Sequence, residues 1–519
     1  MRSKRILILL LSLVLLATTQ ISSASDAQPA YASPDGRQVP HGHWQFFFTP
    51  SFLLPISYQP EQSEKIAREF TAVLPPCSGS QEACIARVEY QLNSGPWFEA
   101  SAGPDEGQRA LKGGYLNGAN NWVFQRSSTF KEDVSIGRPE GATARMWKFA
   151  QAPHAASDSY QVAVQFKGNV STNGTFETTS FNVEIVPATR VPGSAPACMQ
   201  PSIWEERAQY SQDGYCKTIY DFPANLNVKI TVKLGSFLDK VQGWFDGRLK
   251  DASIKVDSSN KSIEIQGSPL TVPSAAIRPI KYEEIPRNYG GAPEADVIAT
   301  QNVSSHGTAG MGDANNEFIL NNFITMTPDI LPNAIGENTV WKISSMKTPL
   351  DKGCLQPGVV NGLVITNATV YNASAPTWNA QRGSLDFRVA ATHYDSRGEI
   401  FKGYYKMLVS EEVAKCYWGE DFSRGTASIS ITNPNGSPDI ATTNLGLQDG
   451  WMNFDAAGFT FSAPIISAII KKAPVVVETP TPTPTPTPVK KTIKCKSGRK
   501  ITKVTALKPV CPKGTKKVA

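Results

Sequence analysis

Apolar and polar residues alternate with a period of two along much of the chain. Tyr160, Val162, Val164 and Phe166 share one side of a run, and beyond an Asn173-Gly174 turn Phe181, Val183 and Ile185 repeat the pattern. Such spacing predicts half-buried antiparallel strands joined by a hairpin or short connection. The cleanest strand sets Leu226, Val228, Ile230, Val232 and Leu234 on one face and Asn227, Lys229, Thr231 and Lys233 on the other. One face packs and the other meets water. Shorter alternations follow at Ile254 and Val256, Ile263 and Ile265, Leu385 to Val389, Tyr405 to Val409, Ile429 and Ile431, ending on Trp451 to Phe461. The most helix-like segment, Asn316 to Ile335, predicts only a weak helix, because Pro328 and Pro332 interrupt it.

The expected fold class is therefore mainly β: several antiparallel sandwich or jelly-roll-like domains, a Pro/Thr linker and a small disulfide-stapled C-terminal tail. Turn residues and composition shifts divide the chain into a signal peptide at 1–24, β-rich domains at 31–190 and 198–286, a mixed connecting region with weak helix at 287–350, a sandwich-like domain at 351–473, a linker at 474–488 and a basic two-cysteine tail at 489–519. The linker contains five Thr-Pro repeats from Thr479 to Pro488. Proline fixes φ and cannot donate to a ladder, so an extended, stiff spacer of roughly 45 Å is expected at about 3.1 Å per residue.

The first residues carry Arg2, Lys4 and Arg5, then an apolar run from Ile6 to Leu16, and then small residues at Ser22-Ser23-Ala24 and Ser25-Asp26-Ala27. This is the layout of a cleavable secretory signal, with the cut expected after Ala24 or Ala27. The run is too short to cross a bilayer, which takes about 20 apolar residues. Eight cysteines fit an oxidising destination. Neighbouring cysteines close the shortest loops, so the pairings expected among about 105 possible ones are Cys77–Cys84, Cys198–Cys216, Cys354–Cys416 and Cys495–Cys511.

Charge is distributed unevenly. Of the net +6, the leader contributes +3 and the segment after Pro488 contributes +11 with no acidic residue, which leaves −8 on the body between them. The basic residues are Lys490, Lys491, Lys494, Lys496, Arg499, Lys500, Lys503, Lys508, Lys513, Lys516 and Lys517. The tail reads as a miniature two-stranded unit, Thr492 to Lys496 and Lys500 to Thr505 about a Ser497-Gly498 turn, too small to hold by apolar burial alone.

With its Thr-Ile-Lys-Cys495 strand, its Gly498-Arg499 turn and its Lys508-Pro-Val-Cys511-Pro-Lys-Gly514 ending, Thr492 to Lys517 resembles a C-terminal module of exported proteins from freshwater actinobacteria. Those modules also follow a Pro/Thr linker and usually have Gly-Lys at the turn. Trp341 through Cys354 and Cys416 to Phe461 more weakly resembles a domain that often precedes such tails. The resemblance implies an exported, envelope-associated, multi-domain protein; it carries no activity and no catalytic residue.

Chemistry-bearing motifs are sparse. The five histidines, His41, His43, His154, His306 and His393, include no metal-binding helical pair, and His41-Gly42-His43 is a weak chelating candidate in a loop. No nucleophile elbow, Walker loop or EF-hand spacing occurs, and Gly307 to Gly312 lacks the strand and helix of a phosphate cradle. Glu283-Glu284 and Glu411-Glu412 read as solvated charges, and Trp97-Phe98 and Tyr417-Trp418 as core aromatics before sugar platforms. Sequons occur at Asn169, Asn173, Asn260, Asn302, Asn367, Asn372 and Asn435.

The expectation is thus an exported binding or structural protein of the cell envelope with no catalytic residue, no metal and no cofactor. Its basic tail is expected to meet anionic cell-wall polymer or lipid head groups. A glycan is a further partner to consider, a specific nucleic acid is not expected, and no transmembrane helix is expected in the mature chain. A solubilising tail without a target is the bland reading of the same charges. The alternative is a secreted carbohydrate-active or other hydrolytic enzyme, which would need two carboxylates about 5 to 9.5 Å apart in a cleft.

Overall fold

The computed structural model describes residues 31–32, 38–39, 45–46, 68–104, 115–116, 122–123, 131–142, 144–170, 174–192, 208–211, 215–276, 320–321, 323–324, 332–334, 336–346, 353–372, 374–432, 442–461, 465–471 and 489–519. The expected leader, the Thr-Pro linker, Cys198, His41, His43, His306, Glu283-Glu284 and the Gly307 to Gly312 loop lie outside them. The chain is mainly β and divides into two compact units, Met1–Lys472 and Ala473–Ala519.

The first half of the body forms strands β1 (Arg68–Val73), β2 (Cys84–Leu92), β3 (Trp97–Glu99), β4 (Ser101–Ala102), β5 (Arg145–Lys148), β6 (Ser159–Val170), β7 (Phe176–Pro192), β8 (Leu226–Lys233), β9 (Gly243–Gly247), β10 (Leu249–Asp257), β11 (Ser262–Ala276) and β12 (Gly336–Ser345). Antiparallel pairings run from β2 to β3, from β4 to β5, and on through β6, β7, β12, β11 and β8 back to β2. With β3 and β4 joined through Ala100, that circuit is a closed barrel of eight staves. At about eight strands a barrel interior is just wide enough for side chains to fill. Here Tyr90, Tyr160, Phe166, Phe181, Ile230, Ile265 and Trp341 fill it.

The period-two expectation is realised in this barrel. Phe166 pairs with Phe181, Val164 with Val183 and Val162 with Ile185, all inward. β8 alternates buried and half-buried positions over its first seven residues, as its sequence predicts. The partners, however, cross the expected domain limits. β2 from the first expected domain pairs with β8 from the second, and β7 pairs with β12. The 31–190, 198–286 and 351–473 units are therefore not separate bodies, and the region expected only to connect, 287–350, supplies the central stave β12. Alternation identifies which face of a strand is buried; it does not identify the neighbour along the hydrogen-bonding direction.

The second half adds β13 (Val360–Thr366), β14 (Val370–Tyr371), β15 (Ser384–Ala390), β16 (Lys402–Ser410), helix α1 (Glu411–Trp418), β17 (Thr426–Thr432), β18 (Thr442–Gln448), β19 (Trp451–Thr460) and β20 (Ile465–Lys471). β13 pairs in parallel with β9, and the sheet continues through β16 and β19 to β18. A second sheet, β14-β15-β20-β17, faces it across a core of Leu385, Phe387, Met407, Phe454, Phe459 and Ile466. The linking sheet serves both cores: Phe245, Leu363, Ile365 and Leu408 join the barrel core, while Trp244, Val364, Met407 and Val409 join the sandwich. β13 is accordingly buried at every position. Gly362 in its middle is required, because a Cβ there would meet the Trp244 ring at 2.3 Å.

Arg248 pins the same junction. It is fully buried, and its Nη1 donates to the carbonyls of Thr366 at 2.6 Å and Ala368 at 2.5 Å. Its guanidinium lies 4.4 Å over the Tyr371 ring, whose hydroxyl donates to Asp246 at 2.5 Å. A buried cation supplied with carbonyls, a ring face and a nearby carboxylate is tolerable where a lone one is not.

Bridges Cys77–Cys84 and Cys354–Cys416 join Cα atoms 5.0 and 5.5 Å apart. Of the helical expectation over Asn316 to Ile335, residues 320–321 and 323–324 are helical, with Leu320 and Phe323 buried. Helix α1 was not foreseen, although Glu411 and Glu412 in its first turn suit the positive helix end. At eight residues it is too short for a periodic signal to stand out. Among the described residues no helix is long and apolar enough to cross a membrane, which leaves membrane-crossing by strands unaddressed.

Candidate polyanion-binding module

The second unit ends in strands β21 (Lys491–Ser497), β22 (Lys500–Ala506) and β23 (Lys516–Val518), ordered β22-β21-β23. Thr, Ile and Val recur in β21 and β22 and favour extended backbone. Ser497 pairs with Lys500, leaving Gly498-Arg499 as a two-residue loop. Gly498 has φ +59°, the conformation that the first central position of a II′ hairpin turn reserves for glycine. The hydroxyls of Thr492 and Thr505 are 2.7 Å apart across the pair. The two strands match the sequence expectation, with the turn at Gly498-Arg499 one position beyond the expected Ser497-Gly498, and β23 adds a third strand.

Cys495 is the only buried residue of 489–519, and it is bridged to Cys511 with Cα atoms 5.6 Å apart. Cys511 lies in the 507–515 connection, so the bridge draws that connection over the Cys495 face. Directly paired residues share a face, which places Lys491, Lys500 and Lys517 on the covered side. Lys494, Lys496, Lys503 and Lys516 share the opposite, open face. Lys490, Arg499, Lys508 and Lys513 sit in the connections. All eleven cations are exposed.

The open face is electrostatically costly by itself. Lys494 stands directly opposite Lys503, and Lys496 directly opposite Lys516. Cβ atoms of such pairs lie about 4.5 to 5.5 Å apart, and like charges there destabilise a sheet. Along β21, Lys494 and Lys496 repeat at about 6.8 Å. The 31 residues contain no Asp or Glu to relieve the repulsion. An external anion lowers this cost, and the attraction is strongest at low ionic strength.

The other sequence candidates are occupied structurally. Lys229 lies 4.7 Å over Trp97 and pairs with Glu89 at 3.0 Å, while Phe98 stacks beside Tyr90. Trp418 is buried and donates from Nε1 to the Gly383 carbonyl at 2.9 Å. Tyr417 stacks on Trp378 at 4.7 Å, so both members of the Tyr417-Trp418 pair serve packing as core aromatics. Glu411 pairs with Lys415 one turn on, at 2.9 Å. Cys198 lies outside the described residues, so Cys198–Cys216 stays an expectation, whereas the other three bridges are present.

Two acidic groupings were missed because their members are distant in sequence. A cleft of about 510 Å³ is lined by Thr271, Glu337, Asp395, Arg397, Glu399 and Phe401 among others. Its carboxylates hold their own loop: Glu337 accepts from the Ser396 amide and hydroxyl, both at 2.7 Å, and Asp395 accepts from Arg397. The Arg397 hydrogen bond draws the Asp395 pKa down. Where the barrel meets the sandwich, burial pushes the Asp455 carboxyl up, opposed by Lys406 directly across the strand pair and assisted by Asp251. Among the described residues no cluster of three His, Cys, Asp or Glu side chains could hold a metal ion.

No family model, no curated protein and no solved structure matches this chain. The cationic module is where the residues of the chain are most unusual.

Proposed function

We propose that the protein is an exported, envelope-associated binding or structural protein whose C-terminal module holds the β body to a polyanionic surface. The observation that carries this reading is the open face of the three-stranded sheet, where Lys494 meets Lys503 and Lys496 meets Lys516 with no acidic side chain in the module. Three disulfides among the described residues agree with an oxidising compartment, and the leader-like start of the sequence supplies the route. The β body, with two filled cores, is the displayed part. The hydrolytic alternative lacks comparable support, since the carboxylates lining the cleft around Glu337 and Asp395 serve its loop.

Retention on isolated anionic envelope tests the reading. Full-length protein should bind at about 0.01 M salt and elute towards 1 M, as the Debye length falls from about 30 to 3 Å. A chain ending at Pro488 should stay in solution at every salt concentration. Equal retention of both chains at low salt overturns the tether.

A further inference from the structure

The module carries a second unusual property that charge does not account for. Of the eleven large apolar side chains that stand exposed among the described residues, four lie in 489–519: Val489, Ile501, Leu507 and Val510. They are 80 %, 57 %, 54 % and 78 % exposed. Scattered exposed aliphatic residues are ordinary on a large surface, but these four fall within 31 residues that bury only one side chain. Ile501 is on the open face opposite Lys496, beside the four lysines, with half-buried Val518 opposite Lys494. Leu507 follows β22 directly, and Val510 precedes the bridged Cys511 in the covering connection.

Cations next to water-exposed aliphatic side chains suit one kind of polyanion better than another. A hydrated phosphate polymer satisfies lysine and has no apolar phase for isoleucine or leucine. An anionic bilayer offers both, with phosphates at the head-group level and hydrocarbon just beneath. Long lysine stems also allow the ammonium groups to remain among head groups while shorter aliphatic side chains sink past them.

We infer that the surface recognised by this module is an anionic lipid bilayer, with Lys494, Lys496, Lys503 and Lys516 on the phosphates and Ile501, together with Leu507 at the end of β22, inserted at the acyl boundary. The inference rests on the tether reading above and specifies its surface. It places the module on the membrane plane and does not require the chain to span it.

The test uses full-length protein with three probes: phosphatidylcholine vesicles, vesicles with one third phosphatidylglycerol, and immobilised soluble polyphosphate. One variant, Ile501→Ser/Leu507→Ser, keeps every charge. A second, Lys494→Gln/Lys496→Gln/Lys503→Gln/Lys516→Gln, keeps every apolar side chain. Mapping of the Cys495–Cys511 bridge and hydrogen exchange of the hairpin amides check that each variant is folded; a double variant that fails this check is replaced by single serine substitutions. The apolar variant should lose roughly tenfold or more in affinity for anionic vesicles while its polyphosphate binding is unchanged. The lysine variant should lose both. Wild-type protein should bind phosphatidylcholine only weakly. Unchanged vesicle binding by the folded apolar variants overturns the bilayer and leaves a phosphate polymer as the surface. Absence of binding to vesicles and polyphosphate alike at low salt would instead remove the tether itself.

Discussion

The barrel and the C-terminal module are both antiparallel β-structure, yet different forces hold them. The barrel encloses Trp341, Tyr160, Phe166 and Phe181 with almost no exposed area, drawing residues together from Ala72 to Leu408. The module encloses Cys495 alone and leaves all ten of its lysines exposed. In the first, burying apolar area outweighs the entropy of closing long loops. In the second there is too little apolar area for that, so a covalent bond replaces the core and charge occupies the surface. Stability and surface chemistry are thereby separated within one chain.

The comparison predicts its largest effect in the barrel. Trp341 is fully buried, and its Nε1 donates to the Gly267 carbonyl at 2.8 Å. Trp341→Ala should cost about 3 to 5 kcal/mol. All ten tryptophans precede Pro488, so tryptophan fluorescence during urea unfolding reports the body alone. The hairpin amides of 491–506 should keep their exchange protection in this variant; if they lose it, the two regions are one folding unit.

Next in size is the staple. Cys495→Ser/Cys511→Ser opens a bridge between residues 16 apart, worth roughly 3 kcal/mol in the chain-entropy account. The module has little else to draw on, so protection of the 491–506 amides should vanish while the urea transition of the body is unmoved. Retained protection would mean that the hairpin holds by strand pairing and packing alone, which would break the contrast.

The same contrast explains what was legible in the sequence. The module could be read almost completely, because its turn, its strands and its bridge are local: Gly498, the Thr-Ile and Lys-Val alternations and two cysteines define it. In the body, β8 could be read because one face is apolar and the other is not. β13 could not, since a strand between two cores is buried on both faces and shows no alternation. The assignment of partners also failed within the body, and with it the domain limits inside it. The contact of the Phe181 amide with the Ser345 hydroxyl spans 164 positions and leaves no mark in either local pattern. The lysine face was visible as composition, but which four lysines share it depends on register.

A smaller effect is expected from pH. His154 is buried at one end of the barrel, its ring stacked on Tyr220 at 4.7 Å and its Nε2 2.9 Å from the Ser159 carbonyl. Burial holds its pKa below the ordinary value. The folded body therefore favours neutral imidazole, and stability present above about pH 6.5 should be lost as pH falls below it. The loss should be about 1 kcal/mol or less, and His154→Gln should flatten it in urea titrations at pH 7.5 and pH 5. The module contains no histidine and no side-chain carboxyl, so its exchange protection should not change across this range. A matching change in the module would show that it is coupled to the body.

The smallest effect tests whether apolar burial governs even the most polar part of the body. Asp455, in β19, lies where the sandwich meets the barrel, opposite Lys406 and near Asp251; Tyr404, whose hydroxyl accepts from the Asp251 amide at 3.3 Å, is close by. Burial is the largest influence on this carboxyl and raises its pKa, Lys406 lowers it, and Asp251 raises it further. A raised folded pKa means that ionisation is less favourable in the native protein than in the unfolded chain. The associated stability is present below the ordinary carboxylate pKa of about 3.9 and lost as pH rises through the folded value. Asp455→Asn removes the charge and keeps the shape, so it should raise the melting temperature slightly at pH 7. The gain should stay below about 1 kcal/mol because the group is only half-buried and partly screened, and it should vanish near pH 3.5, where wild-type Asp455 is itself protonated. Melting curves of the two proteins at these two pH values decide the matter. If Asp455→Asn lowers the melting temperature at pH 7, attraction to Lys406 outweighs burial there, and charge would contribute to holding the body together where its two cores share a sheet.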